Sequence, residues 1–178
     1  QKDDSEFLWV VDPIDGTKNF ISGIPLFAIS IALLQNNEPI VGVVYLPMTD
    51  ELFEASINKG AMLNRVRIKT TQHPINTQTM AVCLSKKHSI PTDIPSTIKQ
   101  KFPTEPSYRA LGSAAISLVY QATGRYQVFY GKNLKIWDIA AGILIAREAG
   151  SIVHYKTSQE NIVTEITSGH PDYTKLSL

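Results

Sequence analysis

The stretch Phe7-Leu8-Trp9-Val10-Val11-Asp12-Pro13-Ile14-Asp15-Gly16-Thr17 decides the fold, because an apolar run leads straight into two acids placed around a proline. An unbroken run of β-branched and aromatic residues reads as a buried strand. Pro13 has no N–H to continue a ladder, so the strand is expected to end where the acids begin. Asp12 and Asp15 then emerge at a strand terminus, where sites on layered α/β folds gather.

The spacing suits an oxygen-ligated cation. Mg²⁺ takes oxygen ligands in near-octahedral geometry and is usually held by one or two carboxylates plus substrate phosphate. A bend lets Asp12 and Asp15 converge and can turn the Ile14 carbonyl toward the same ion. Gly16 permits close backbone approach. A helical turn starting here would offer the N–H groups of Gly16 and Thr17 to a phosphate oxygen, with the Thr17 hydroxyl placed to orient a water. The same hexapeptide fits an ordinary strand-to-turn corner equally well. Phosphatases with an aspartyl nucleophile carry their acids two residues apart on one strand face. Three-residue spacing around a proline argues against a phosphoaspartate and for metal-activated water.

Composition narrows the class. The 178 residues are 43% hydrophobic and 19% charged, enough for a sizeable core in one domain, or in one domain and part of another. A net charge of +1 and the absence of basic blocks with interleaved aromatics give no support for a nucleic-acid surface. No apolar stretch reaches membrane-span length and no signal peptide is visible. Cys83 stands alone in an apolar run and reads as a buried thiol, so no disulfide framework exists and a cytoplasmic setting is expected. The chain opens on Gln1 and reaches a core strand within a few residues, which reads as a fragment or a processed chain.

Residues 26–34, 40–46 and 51–57 read as an antiparallel meander with turns at 36–39 and 47–50. Residues 79–84 read as a further strand and 96–102 as a short helix. Ser113 is expected to cap a helix through Thr123, stopped by Gly124. A strand over 126–130 leads to a second helix from about Trp137 to Ala149, apolar around nearly its whole circumference and so buried between layers. Gly142 within it costs about 1 kcal/mol against Ala and implies close packing. Residues 151–154 and 162–167 read as closing strands. The composition shift across 70–78 and 85–106 divides the chain into an antiparallel-sheet part, 1–78, and an α/β part, 79–178.

Trp137-Asp138-Ile139-Ala140-Ala141-Gly142 is the other conspicuous run. Asp138 alone fits a helix N-cap worth about 1 kcal/mol. With D-P-I-D-G-T, however, the pair of motifs resembles the inositol monophosphatase family of Mg²⁺-dependent, lithium-sensitive sugar phosphatases. Ile24 to Ser30, Gly42 to Tyr45, Gly60-Ala61, Leu111 to Ala115 and Ala146 to Gly150 resemble intervening family segments in the same order.

The resemblance implies an αβαβα sandwich, an α/β (α+β layered) fold, here with the N-terminal helices missing. It implies two or three Mg²⁺ ions per site. Asp12 would bridge two of them with the Ile14 carbonyl on one, while Asp15 and Asp138 would hold another. Gly16 and Thr17 would bind phosphate. Asp15, Gly112, Ser113, Ala114 and Asp138 would face the alcohol side of a small phosphorylated substrate, and Asp12 and Thr17 would act in catalysis. A homodimer is usual in the family.

Two departures stand out. The family draws another metal-binding glutamate from a helical region ahead of the first strand, and this chain has none there. Glu6 is no substitute, because six extended residues at ~3.3 Å each place it about 20 Å from Asp12. The second departure is Gly131, where close inositol phosphatases carry a substrate-binding glutamate in the strand-to-helix connection. Lys132 and Lys135 could there attract a more anionic substrate, or be plain solvated lysines. Ser85-Lys86-Lys87-His88 partly matches 3′-phosphoadenosine phosphatases. The expected activity is Mg²⁺-dependent hydrolysis of a sugar or inositol phosphate. A 3′-phosphoadenosine or bisphosphate nucleotidase, a fructose-bisphosphatase-like enzyme and a non-catalytic interaction module are the alternatives.

Overall fold

The computed structural model describes residues 6–70, 79–84, 94–100, 102–158 and 162–171. Its first sheet is a six-stranded antiparallel meander in chain order: β1 (Phe7–Asp15), β2 (Ala28–Gln35), β3 (Glu38–Leu46), β4 (Glu51–Ser56), β5 (Gly60–Leu63) and β6 (Val66–Ile68). A five-stranded mixed sheet holds β7 (Thr79–Leu84), β8 (Ser107–Arg109), β9 (Val128–Lys135), β10 (Ile152–Thr157) and β11 (Ile162–Gly169), in the order β10-β11-β9-β7-β8. The helices are α1 (Thr17–Ile21), α2 (Ser96–Lys99), α3 (Ala114–Ala122) and α4 (Ile136–Glu148).

The layers follow from where apolar faces are buried. The inner face of the first sheet (Ala28, Ala32, Val44, Phe53) packs on Ile116, Val119, Ala141 and Ile145 of α3 and α4. The opposite sides of those helices, with Leu118, Ile139 and Ile143, meet Phe129, Leu134 and Ile166 of the second sheet. Beyond that sheet, Met80, Val128 and Tyr130 pack with Ile98 of α2 and with Ile94 and Phe102. The order is therefore β-α-β-α, the layered α+β fold that the resemblance implied. On the outer face of the first sheet Ile29, Ile31 and Leu33 stay half-buried, and no helix covers them among the described residues.

Local signals placed α3 correctly. Ser113 is its N-cap, accepting from the Ile116 N–H at 3.1 Å, and Gly124 follows its end at φ +77°. α4 is buried from Ile139 through Ala146, as its all-round apolar pattern requires. A Cβ on Gly142 would lie 2.8 Å from Leu118 Cβ, so this glycine is where α3 and α4 approach closely.

Two expectations are corrected. β1 is not a buried strand ended by Pro13. It is the edge of its sheet and runs through the proline to Asp15, with the pairing to β2 shifted between Asp12 and Asp15. An edge strand tolerates proline because one side of it makes no ladder bonds. Trp9 is 62% exposed and Val11 51%, while Val10 turns inward. Gly131 is likewise not in a connection. It sits within β9, paired with Ile166 on one side and Cys83 on the other. The meander is also longer than expected, since β5 and β6 continue it. The Ser85–His88 match lies outside the described residues, as does the Cys83 side chain.

Candidate metal and phosphate site

Asp12, Asp15 and Asp138 come together at the end of β1 and the start of α4, each offering an oxygen within 4.8 Å of the others. The bulge in β1 makes this possible. Asp12 Oδ1 accepts from the Ile14 N–H at 2.9 Å, which folds the chain around Pro13 and swings Asp15 to the same side. Thr17 opens the one-turn helix α1 and donates its hydroxyl to the Ile14 carbonyl at 2.9 Å.

Asp15 is buried and fastened from the far half of the chain. Its Oδ2 accepts from the Ser113 hydroxyl at 2.6 Å and from the Ala115 N–H at 2.7 Å, at the first turn of α3. Burial lifts its carboxyl from the ordinary 3.8 to about 6; the Ser113 and Ala115 donors pull it back, Asp12 pushes it up, and the Gly16 N–H pulls it down. Asp138 is not the N-cap of α4 but the third residue of its first turn, where its Oδ2 accepts from the Lys135 N–H at 3.1 Å. Burial lifts it to about 7, against the Lys135 N–H and with the help of the Asp15 and Asp12 charges.

The donor set is all oxygen, which fits a hard divalent cation. Burial and mutual repulsion both oppose ionisation of Asp15 and Asp138, and such an ion relieves both. Asp12, Asp15 and Asp138 are the groups able to hold it, while the Ile14 carbonyl accepts the Thr17 hydroxyl. Gly16 and Thr17 lie beside them, and Ser113 with Ala114 opens α3 across from Asp15. Gly112, the residue before that cap, is exposed. Lys135 lies next to this site, its Nζ 5.6 Å from the Trp137 ring centre, whereas Lys132 lies back along β9 opposite Glu165. Glu6 is at the other end of β1, accepting from Gln35 Nε2 at 2.6 Å, which keeps it out of the acidic group.

Two residues of this neighbourhood carried no signal in the sequence. Ser30, the pairing partner of Asp12, donates to the Trp137 carbonyl at 3.2 Å. Asn19 donates to the carbonyls of Leu26 and Leu111, both at 2.7 Å. Their partners lie up to 107 residues away in sequence.

A layered α+β chain with an acidic trio at a strand end and a helix start matches the arrangement that the resemblance to the inositol monophosphatase family implied. The profile of the inositol monophosphatase family matches residues 1–175, and the chain belongs to that family. It is similar to a protein named inositol-1-monophosphatase from Mesorhizobium japonicum, 39% identical over 85% of this chain and 58% of the relative. It is also similar to one named Nus factor SuhB from Escherichia coli, 38% identical over 98% of this chain and 67% of the relative. Among solved structures, an inositol monophosphatase from Anabaena superposes with a TM-score of 0.80 at 30% identity, covering 94% of this chain and 68% of that one. The chain thus spans about three-fifths to two-thirds of the length of these relatives.

Proposed function

We propose that the protein is a Mg²⁺-dependent phosphomonoesterase acting on a small sugar or inositol phosphate. The observation that carries this is the convergence of Asp12, Asp15 and Asp138 within 4.8 Å beside the Gly16-Thr17 turn. The bound cations would supply charge neutralisation at the phosphoryl group and an acidified water. Asp12 and Asp138 would hold them beside the substrate phosphate. Thr17, whose hydroxyl already donates to the Ile14 carbonyl, keeps its oxygen lone pairs to accept a hydrogen bond from a water and so orient it. Asp15 is fixed by Ser113 and Ala115, and exposed Gly112, with Ser113 and Ala114 buried behind it, would lie on the side of the alcohol portion. The further acid implied by the resemblance would come from a segment ahead of β1, since Glu6 is engaged with Gln35.

The test is phosphate release by the whole protein across a panel of inositol, sugar and nucleotide 3′-phosphates with Mg²⁺. Hydrolysis lost in Asp12→Asn and Asp138→Asn supports the reading; undiminished hydrolysis in either variant overturns it. A second reading, a non-catalytic interaction module that keeps the fold, is favoured by the relatives named Nus factor SuhB. It predicts no release on any panel member.

A further inference from the structure

We propose that Asn19 is a positioning residue for the acidic trio, holding the start of α3 against the metal loop so that Asp15 keeps one oxygen for a cation. This rests on the metal-site reading above.

Three observations converge on Asn19. Its amide nitrogen spends both protons on backbone carbonyls from different parts of the chain, Leu26 and Leu111, each at 2.7 Å. The backbone leaves room for it. Gly112 has φ +77°, and a Cβ there would lie 2.8 Å from Asn19 Nδ2 and 2.9 Å from Oδ1. The other side of the clasp is equally tight. Gly16 has φ +90°, and its Cβ would meet Leu26 O at 2.8 Å and Ser113 Cβ at 3.3 Å.

The consequence follows from connectivity. Leu111 is two residues before Ser113, whose hydroxyl takes Asp15 Oδ2, and four before Ala115, whose N–H takes the same oxygen. Leu26 is two residues before Ala28, the pairing partner of Asp15. Asn19 therefore joins the two backbone segments that fix Asp15, one from the strand side and one from the helix side. Without it, the 111–113 segment loses its hydrogen bond to α1, and the Ser113 hydroxyl is held to Oδ2 by less of the surrounding backbone. Partners bonded directly to a ligating side chain, as Ser113 is to Asp15, typically change metal affinity by about 10- to 100-fold when removed, and Asn19, one step further back, is expected to fall at or below the low end of that range.

The experiment is a Mn²⁺ titration of the full chain without substrate, followed by electron paramagnetic resonance, for wild type, Asn19→Ala and the nearly isosteric Asn19→Leu. Melting temperature and folded fraction are recorded beside it. The expected result is a rise of several-fold, up to about tenfold, in the Mn²⁺ dissociation constant of the folded molecules in both variants. A merely structural tie would lower the melting temperature and the folded fraction while leaving that constant alone, and this outcome overturns the proposal. Should one variant fail to fold, the other decides. Wild type that binds no Mn²⁺ overturns the metal site and this proposal together. Wild type that binds Mn²⁺ and releases no phosphate, with weaker binding in the variants, overturns only the enzymatic reading.

Discussion

Ser30 donates its hydroxyl to the main-chain carbonyl of Trp137 at 3.2 Å, and this bond joins the two halves of the acidic site. Ser30 pairs with Asp12 across β1 and β2, and Trp137 immediately precedes Asp138. The first turn of α4 is thereby set over the strand that flanks Asp12. Ser30→Ala is expected to cost about 1 kcal/mol of stability, the usual net worth of one hydrogen bond. It should also weaken Mn²⁺ binding several-fold, read by the same titration. Unchanged affinity would mean that packing alone seats Asp138.

The raised carboxyls predict how the metal-free protein responds to pH. Asp15 sits at about 6 and Asp138 at about 7, both above the ordinary 3.8. Between about pH 4 and about pH 7 the folded chain therefore binds more protons than the unfolded one. This contribution to stability is present at low pH and is lost as pH rises through that window. For buried Asp15 the shift is worth roughly 3 kcal/mol at 1.36 kcal/mol per unit. Melting of the chelator-treated protein should fall across that range more steeply than melting of Asp138→Asn, and Mg²⁺ should restore it at neutral pH. Parallel curves for the two proteins would contradict the assignment.

Cation binding should release protons in the same window, because the carboxyls of Asp15 and Asp138 must give theirs up. Calorimetric titration with Mg²⁺ at about pH 6 in two buffers of different ionisation enthalpy measures this directly. The expected release is much smaller in Asp138→Asn and nearly absent at about pH 8. Equal release at both pH values would place the protons on other groups.

How far the sequence disclosed this molecule depends on how local each signal is. The helix from Ser113 to Gly124 was legible because its cap and its stop lie within the segment itself. The Asp12, Asp15 and Asp138 grouping was legible because motif order within a known family stands in for distance. The exposure of Trp9 was not, since an apolar strand reads the same at a sheet edge as at its centre. β9 outruns the expected strand at 126–130 for a related reason: its pairing with β7 and β11 extends it past Gly131. Asn19 and Ser30 were invisible because single polar residues gain meaning only from distant carbonyls.

Restoring a glutamate at position 131 tests that correction. A Cβ on Gly131 would lie 2.5 Å from Leu134 Cδ1, 2.8 Å from Ile166 Cγ2 and 3.0 Å from Phe129 Cζ, all apolar and inside the sheet–helix core. Gly131→Glu should therefore lose more than about 4 kcal/mol by urea unfolding, because it combines overpacking with a buried carboxylate. It should not gain hydrolysis of inositol phosphates. A stable variant with raised selectivity for inositol phosphates would show that the side chain at 131 reaches the site instead.

The seating of α4 offers the last test, because two glycines control it in different ways. A Cβ on Gly42 of β3 would come within 2.8 Å of Ala141 O and 3.0 Å of Ala141 Cα, both backbone atoms. Nothing there can rotate aside, so Gly42→Ala must push the helix off the sheet. Gly142→Ala meets the Leu118 side chain instead, at 2.8 Å from Cβ, and it regains about 1 kcal/mol of helix propensity. Overpacking of this kind typically costs 1–3 kcal/mol. Gly42→Ala is therefore expected to be the more destabilising of the two by denaturant titration. Because α4 carries Asp138 in its first turn, the same substitution should also weaken Mn²⁺ binding, whereas Gly142→Ala acts a turn further along and between the helices. Unchanged affinity in Gly42→Ala would show that the acidic trio tolerates movement of α4, with Asp138 held by the Lys135 N–H and its neighbour Trp137 by Ser30.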